Sequence, residues 1–161
     1  MVTIGQLAPD LWQQYKALRL EALQTDPQAF GGSYVEEVVF SEALWQERIC
    51  NMWFAMIDGQ PVGMVGLLPG PMLSTRHKAM IISMWVKPSF RGQGIAKALM
   101  QEIQRIAPAQ GFIKLFLDVT TTQTAAVKLY TSVGFQKVGL QQKEVFINGQ
   151  YLDQYLMEWL A

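Results

Sequence analysis

The residues best suited to chemistry lie in Val86-Lys87-Pro88-Ser89-Phe90-Arg91-Gly92-Gln93-Gly94-Ile95-Ala96, between a strongly apolar run and an amphipathic one. Small residues in such a segment let ligand atoms approach the main chain closely. A helix that begins just after the glycines presents unpaired N–H groups and a positive partial charge. Together these make a cradle for a pyrophosphate: main-chain donors hold the phosphate oxygens, and Arg91, Lys87 and Lys97 supply local positive charge. Gly92 and Gly94 by themselves would serve a plain strand-to-helix turn equally well. The surrounding spacing narrows the choice, because a dinucleotide fingerprint requires glycine where Lys97 stands, and a P-loop requires a Gly-Lys-Ser/Thr ending that this chain lacks.

Other chemistries find little material. With His77 as the one histidine and Cys50 as the one cysteine, a zinc centre built from three or four such ligands cannot be assembled, so no metal is expected. A Ser-His-Asp site would depend on His77, which stands between Arg76 and Lys78 in a polar turn, and no G-x-S-x-G elbow occurs.

The elements that must position the loop follow from periodicity. A short strand near Val2–Gln6 precedes a helix with apolar positions Leu11, Tyr15, Leu18 and Ala22, for which Asp10 is the expected N-cap, and which ends before Asp26-Pro27. Ser41 is placed to cap a helix carrying Leu44, Trp45, Arg48 and Ile49. Met52–Ile57 and Pro61–Leu68 flank Asp58-Gly59, a hairpin dipeptide. Ala79–Val86 is nearly continuous in apolar character, as in a central strand covered on both faces. Ile95, Leu99, Ile103 and Ile106 then mark a helix, Ile113–Val119 a second buried strand, and Thr122 the expected cap of a helix through Ala126 and Leu129 that Gly134-Phe135 ends. Lys137–Ile147 and Tyr151–Trp159 close the chain as a hairpin about Asn148-Gly149.

Two segments together carry a resemblance. The GNAT superfamily of N-acetyltransferases has a cofactor loop reading Gln or Arg, two residues, Gly, one residue, then Gly or Ala, and this chain has Arg91, Gly94 and Ala96 at those places. The stretch Leu117-Asp118-Val119-Thr120-Thr121-Thr122-Gln123 followed by Ala126-Val127-Lys128-Leu129-Tyr130 and Gly134-Phe135 is similar to the family's second motif. Arg19–Leu23, Pro27–Tyr34 and Asp153–Glu158 extend the likeness over nearly the whole chain. The resemblance implies an α/β (α+β) fold in one domain, residues 1–161: a single mixed, mostly antiparallel central sheet with a splayed parallel pair of strands and helices on both faces.

It also implies acetyl-coenzyme A as co-substrate and transfer of its acetyl group to a primary amine by direct attack on the thioester. Met84, Trp85 and Val86 would pair with the pantetheine arm, a free N–H near Met84 or Trp85 would stabilise the oxyanion, and Arg91, Gly92, Gln93, Gly94, Ile95 and Ala96 would hold the pyrophosphate. Gln123 stands where the family commonly has Asn, with similar donors and acceptors but a different reach. Tyr130 resembles the general acid that protonates the departing thiolate. Phe30, Tyr34 and Trp85 either line an acceptor pocket or pack as core. Glu21 is an acceptor-site candidate because the first helix borders that site in the family.

No general base stands out among Glu21, Glu36, Glu37, Asp118 and Glu144, and the adjacent pair Glu36-Glu37 reads as a solvated face. The acceptor implied is a small-molecule amine; the alternatives are a protein or peptide N-terminus or lysine, or a non-catalytic acyl-coenzyme A-binding sensor. Thirteen basic and thirteen acidic residues balance, so no field steers the chain to nucleic acid or anionic membrane. The most apolar stretch falls far short of the roughly 20 residues of a spanning helix. Cys50 cannot form an internal disulfide and Met1–Gln6 lacks the basic and long apolar regions of a secretion signal, so a cytoplasmic protein is expected, and the resemblance is compatible with a homodimer built on the carboxy-terminal strands.

Overall fold

The computed structural model describes residues Met1–Ala161. Strands are β1 (Thr3–Gly5), β2 (Met52–Ile57), β3 (Gln60–Pro69), β4 (Lys78–Val86), β5 (Lys114–Thr120), β6 (Gln136–Ile147) and β7 (Gln150–Leu160); helices are α1 (Trp12–Thr25), α2 (Tyr34–Glu37), α3 (Glu42–Ile49), α4 (Ile95–Ile106) and α5 (Thr124–Ser132). The seven strands form a mixed sheet in the order β1-β2-β3-β4-β5-β7-β6. β4 and β5 pair in parallel, whereas β1–β2, β2–β3, β5–β7 and β6–β7 run antiparallel. The chain divides into two compact units, Met1–Leu67 with Ser83–Leu99, and Leu68–Ile82 with Met100–Ala161.

In the first unit, α1 buries Tyr15, Leu18, Arg19, Ala22 and Leu23. That is the i, i+3, i+4, i+7, i+8 stripe of an amphipathic helix, with an arginine in it. Tyr15 meets Trp45 of α3 edge-on at 5.3 Å and Phe54 of β2 at 5.7 Å. Each such ring contact contributes about 0.5–1.5 kcal/mol beyond burial. Ile49, Met52, Met64 and Trp85 complete this core. Ser41 caps α3 as expected, its Oγ accepting the Leu44 N–H at 3.2 Å. Asp10 does not cap α1. A 3-10 turn over Pro9–Leu11 leads straight into the helix, so the N-cap position falls to Leu11 and Asp10 lies within the turn.

In the second unit, β4 and β5 are paired from Lys78↔Lys114 to Met80↔Phe116. The pairing of β5 with β7 continues to Thr120↔Gln154, four positions further along β5. Leu115, Leu117 and Val119 of β5 are buried with Tyr130, Phe135 and Met157. Gly134, at φ 92°, ends α5, and the Phe135 N–H returns to the Tyr130 carbonyl at 3.0 Å. Thr122 does not cap α5. The Gln123 N–H closes a turn on the Thr120 carbonyl, which moves the N-cap to Gln123.

Both hairpins form where the dipeptides place them. Asp58 and Gly59 have φ of 49° and 75°, and Asn148 and Gly149 have φ of 52° and 76°, the two positive values that a type I′ turn requires. β4 departs from a uniformly covered strand: Ala79, Ile81, Trp85 and Val86 are buried, whereas Ser83 and Met84 are consecutive half-buried residues. The alternation breaks because Ser83 sits at φ 59°, in the left-handed region.

Candidate active site

The loop before α4 is built from two left-handed glycines, Gly92 at φ 74° and Gly94 at φ 80°. A side chain at either place would strain the backbone, and a Cβ there would meet nothing within 4 Å, so open space adjoins both. Ile95 is buried and pins the start of the helix, while Gln93 is exposed and Ala96 half-buried. The first intrahelical bond runs from Ala98 N–H to the Gly94 carbonyl. The N–H groups ahead of it belong to the unpaired set at any helix start and can receive an anion.

The side chains around this loop are less available to an anion than their charges suggest. Arg91 Nη2 donates to Asp26 Oδ2 at 2.6 Å, and Arg91 Nε donates to the Val86 carbonyl at 2.9 Å. Asp26 Oδ2 also accepts from Trp85 Nε1 at 2.7 Å. Burial opposes the charge on Asp26, but the hydrogen bonds from Trp85 and Arg91 and the Arg91 charge outweigh it and hold the carboxyl below its ordinary range. Lys87 pairs with Glu21 at 3.2 Å. That pair stands beside a shallow pocket of about 290 Å³ lined also by Gln14, Leu18, Gln60 and Pro61. The positive charge expected from Arg91 and Lys87 is thus offset in each case by a carboxylate.

Beneath β4 lies a second polar centre. Arg19 donates to Glu37 through Nε at 2.9 Å and Nη2 at 2.7 Å, and through Nη1 to Ser83 Oγ at 3.1 Å. Arg48 reaches the same carboxylate at 3.2 Å. The Phe30 ring lies under the Arg19 guanidinium at 4.6 Å, within cation–π range. Arg19 is 4% exposed and Glu37 3%. Glu37 therefore departs from the solvated-face reading, whereas its neighbour Glu36 is exposed and closes a capping box with Ser33. Burial disfavours the Glu37 charge, but the bonds and charges of Arg19 and Arg48 win and lower its pKa.

These contacts tie Ser83, at its left-handed φ, to α1 and α2. Backbone held in that region costs on the order of 1 kcal/mol or more and persists only where its surroundings over-determine it. Met84, next in the chain, is half-buried. Phe30 and Trp85 lie within the core of the first unit, and Tyr34 packs against it from α2.

In the second unit Tyr130 is buried, its ring 6.2 Å from that of Phe135, and burial pushes its phenol well above the ordinary value. Gln123 is half-buried at the start of α5. Asp118 on β5 is half-buried, and its carboxyl is raised first by burial and then by the negative charge of Glu144. Glu144 belongs to an irregular part of β6 between Gln141 and Val145, where Lys143 has φ 52° and its N–H donates to Asp153 Oδ1 at 2.9 Å. Of the five candidate bases, Glu21, Glu36 and Glu37 have charged or capping partners, whereas the carboxyl of half-buried Asp118 is raised by burial and by Glu144.

The profile of the Acetyltransferase (GNAT) family matches residues 12–135. The chain belongs to the GNAT acetyltransferase family. The matched span takes in the two segments that carry the resemblance, Arg91–Ala96 and Leu117–Phe135, and parts of both compact units. The chain is 35% identical over 144 residues to rat N-acetyltransferase 8B, a match that covers 86% of this chain and 60% of that protein. The chain thus spans about 60% of the length of that relative. A GNAT-family acetyltransferase from Streptococcus pneumoniae shares the fold with a TM-score of 0.88 at 22% identity, over 100% of this chain and 99% of that one. So does a GNAT phosphinothricin acetyltransferase from Sinorhizobium meliloti, solved in complex with AcCoA, with a TM-score of 0.84 at 20% identity over 99% and 88% of the two chains.

Three residues of this GNAT chain, Asp26, Arg19 and Ser83, take roles in these networks that the sequence pattern does not assign. Arg19 carried a readable signal: a charge at i+4 from Tyr15 on the buried stripe of α1 must find a partner. Asp26 and Ser83 carried none, since their partners lie 59 to 65 positions away in the chain.

Proposed function

We propose that this chain transfers the acetyl group of acetyl-coenzyme A to a primary amine of a small molecule. The observation that carries the reading is the pair of left-handed glycines opening onto free space at the start of α4, within the span that the family's profile matches. A pyrophosphate fits there on physical grounds: it needs main-chain N–H donors, a helix N-terminus and no side chain in the way. Gly92 through Ala96 hold it, Met84 and Val86 offer main-chain groups to the pantetheine amides, and Gln123 contributes from the start of α5.

In the reaction the neutral amine nitrogen bonds to the acetyl carbon, the carbon–sulfur bond breaks, and the sulfur leaves with the electron pair. A main-chain N–H at Met84 or Trp85 stabilises the charge that gathers on the acetyl oxygen. Tyr130 donates its proton to the departing sulfur. The phenol keeps that proton throughout the neutral range because burial raises its pKa. Asp118 accepts the proton that the amine must lose.

Asp118 gives the reading a pH signature. Replacing Asp118 with Asn is expected to lower kcat/KM at neutral pH and abolish the acid limb of the pH profile. Glu144→Gln removes the negative charge that raises Asp118, so the acid limb should move to lower pH while the plateau is kept. A limb that does not move in the Glu144 variant would sever Asp118 from the proton transfer.

The function itself is tested by release of free coenzyme A thiol from acetyl-coenzyme A across polyamines, aminoglycosides, amino acids and peptide N-termini, against a blank without acceptor. Release with one small-molecule class establishes the activity and its acceptor. Release with peptides alone moves the acceptor to a protein, and silence with retained coenzyme A binding favours a sensor.

A further inference from the structure

We propose that Asp26 is a positioning residue for the phosphate-binding loop, acting through Arg91, and that Arg91 serves that loop as a clamp rather than as a charge for the phosphates. The inference rests on the reading of Gly92–Ala96 as the coenzyme A loop.

Asp26 is itself well fixed. It follows the last residue of α1, its N–H bonds the Ala22 carbonyl at 2.9 Å, and its own carbonyl accepts from Ala29 at 3.0 Å. One carboxylate oxygen receives both Trp85 Nε1 and Arg91 Nη2, at 2.7 and 2.6 Å. Trp85 is 4% exposed, which makes that end of the network a rigid anchor in the core. Arg91 is then gripped along a second edge by the Val86 carbonyl at 2.9 Å. Its guanidinium spans from the end of α1 to the end of β4, immediately before the two glycines.

Glycines lose more conformational freedom than any other residue when they are ordered, so a loop with Gly92 and Gly94 gains most from being fixed at its entrance. Affinity for a ligand rises when that ordering is done in advance. The Arg91 side chain is about half exposed and would be free to wander without its two acceptors. Pairing with Asp26 also offsets its charge, which leaves the main-chain N–H groups and the start of α4 as the attraction for the phosphates.

The two roles for Arg91 predict opposite signs. If Arg91 bound phosphate by charge, Asp26→Asn would release it and coenzyme A would bind as tightly or tighter. If Arg91 is a clamp held by Asp26, the same change loosens the loop and weakens binding about tenfold, the equivalent of one charge-assisted hydrogen bond. The measurement is the Kd of coenzyme A by calorimetry for the parent chain, Asp26→Asn, Arg91→Gln and the double variant.

Weakening in both single variants, with the double no weaker than either, supports the proposal, because two residues that act through one contact are not additive. Unchanged or tighter binding in Asp26→Asn overturns it, as do additive losses. Arg91→Lys gives a second test should Asp26→Asn fail to fold. A lysine keeps the charge but cannot hold Asp26 and the Val86 carbonyl with two separate donor groups on a planar fork. It should bind as weakly as Arg91→Gln, and parent-like binding refutes the clamp. A parent chain that does not bind coenzyme A sinks the loop assignment and this inference together, whereas parent binding with unaffected variants sinks this inference alone.

Discussion

Replacing Tyr130 with phenylalanine is expected to lower kcat by on the order of 10²-fold, the smaller end of what a positioned proton donor supplies, while the affinity for coenzyme A holds. The substitution is a narrow one. The Tyr130 main chain is locked by the end of α5, where its carbonyl accepts the N–H groups of Val133 and Phe135 at 3.2 and 3.0 Å. A phenyl ring keeps the volume and the contact with Phe135, so the fold should be little affected. What disappears is one O–H. Because burial raises the phenol's pKa, Tyr130 should contribute no alkaline limb to the pH profile of the parent chain across the neutral range. Turnover equal to the parent's would leave Tyr130 as a packed ring and return the thiolate's proton to solvent.

The second large effect concerns stability. Glu37→Ala is expected to destabilise the chain by about 3–5 kcal/mol, the range for breaking a buried ion pair from one side. The reason is what the change leaves behind: Arg19, 4% exposed, would keep its charge with only Ser83 Oγ and the Phe30 ring for partners. In a chain of this size that corresponds to a fall in melting temperature of roughly 6–20 °C. Glu36→Ala is the matched control, since it removes an adjacent carboxylate that is exposed and caps only a short helix. Equal losses in the two variants would contradict the buried assignment of Glu37.

The same residue sets a pH dependence. Its folded pKa lies below the unfolded value of about 4.3, so its contribution is fully present above that pH and is lost as pH falls through the folded value. Thermal melts of the parent chain should therefore weaken below about pH 4, and Glu37→Ala should lose less over the same interval.

How much of this was legible beforehand varies with the range of the interaction. The hairpins at Asp58-Gly59 and Asn148-Gly149 were readable because a two-residue turn depends on the φ preferences of those two residues. The Arg91–Ala96 loop was readable for a similar reason, as glycines at a strand-to-helix junction mark backbone that no side chain may crowd. The helix caps depend on more than the capping residue itself. Ser41 met its N–H, while Asp10 and Thr122 were displaced by tight turns that carry the chain into α1 and α5 along a different path.

The sequence by itself determined what local rules govern: the alternation that makes strands, the stripe that makes α1, the turn dipeptides, and the motif spacing that marks the family. Tertiary structure alone decided where the charges went. It carried Glu37 from an apparent surface pair into the core against Arg19, set Asp26 on Arg91 across 65 positions, and placed Ser83 in a left-handed conformation with its Oγ accepting from Arg19. A charge's partner is chosen by proximity in space and by the cost of burying it alone, and neither is written in the residues beside it.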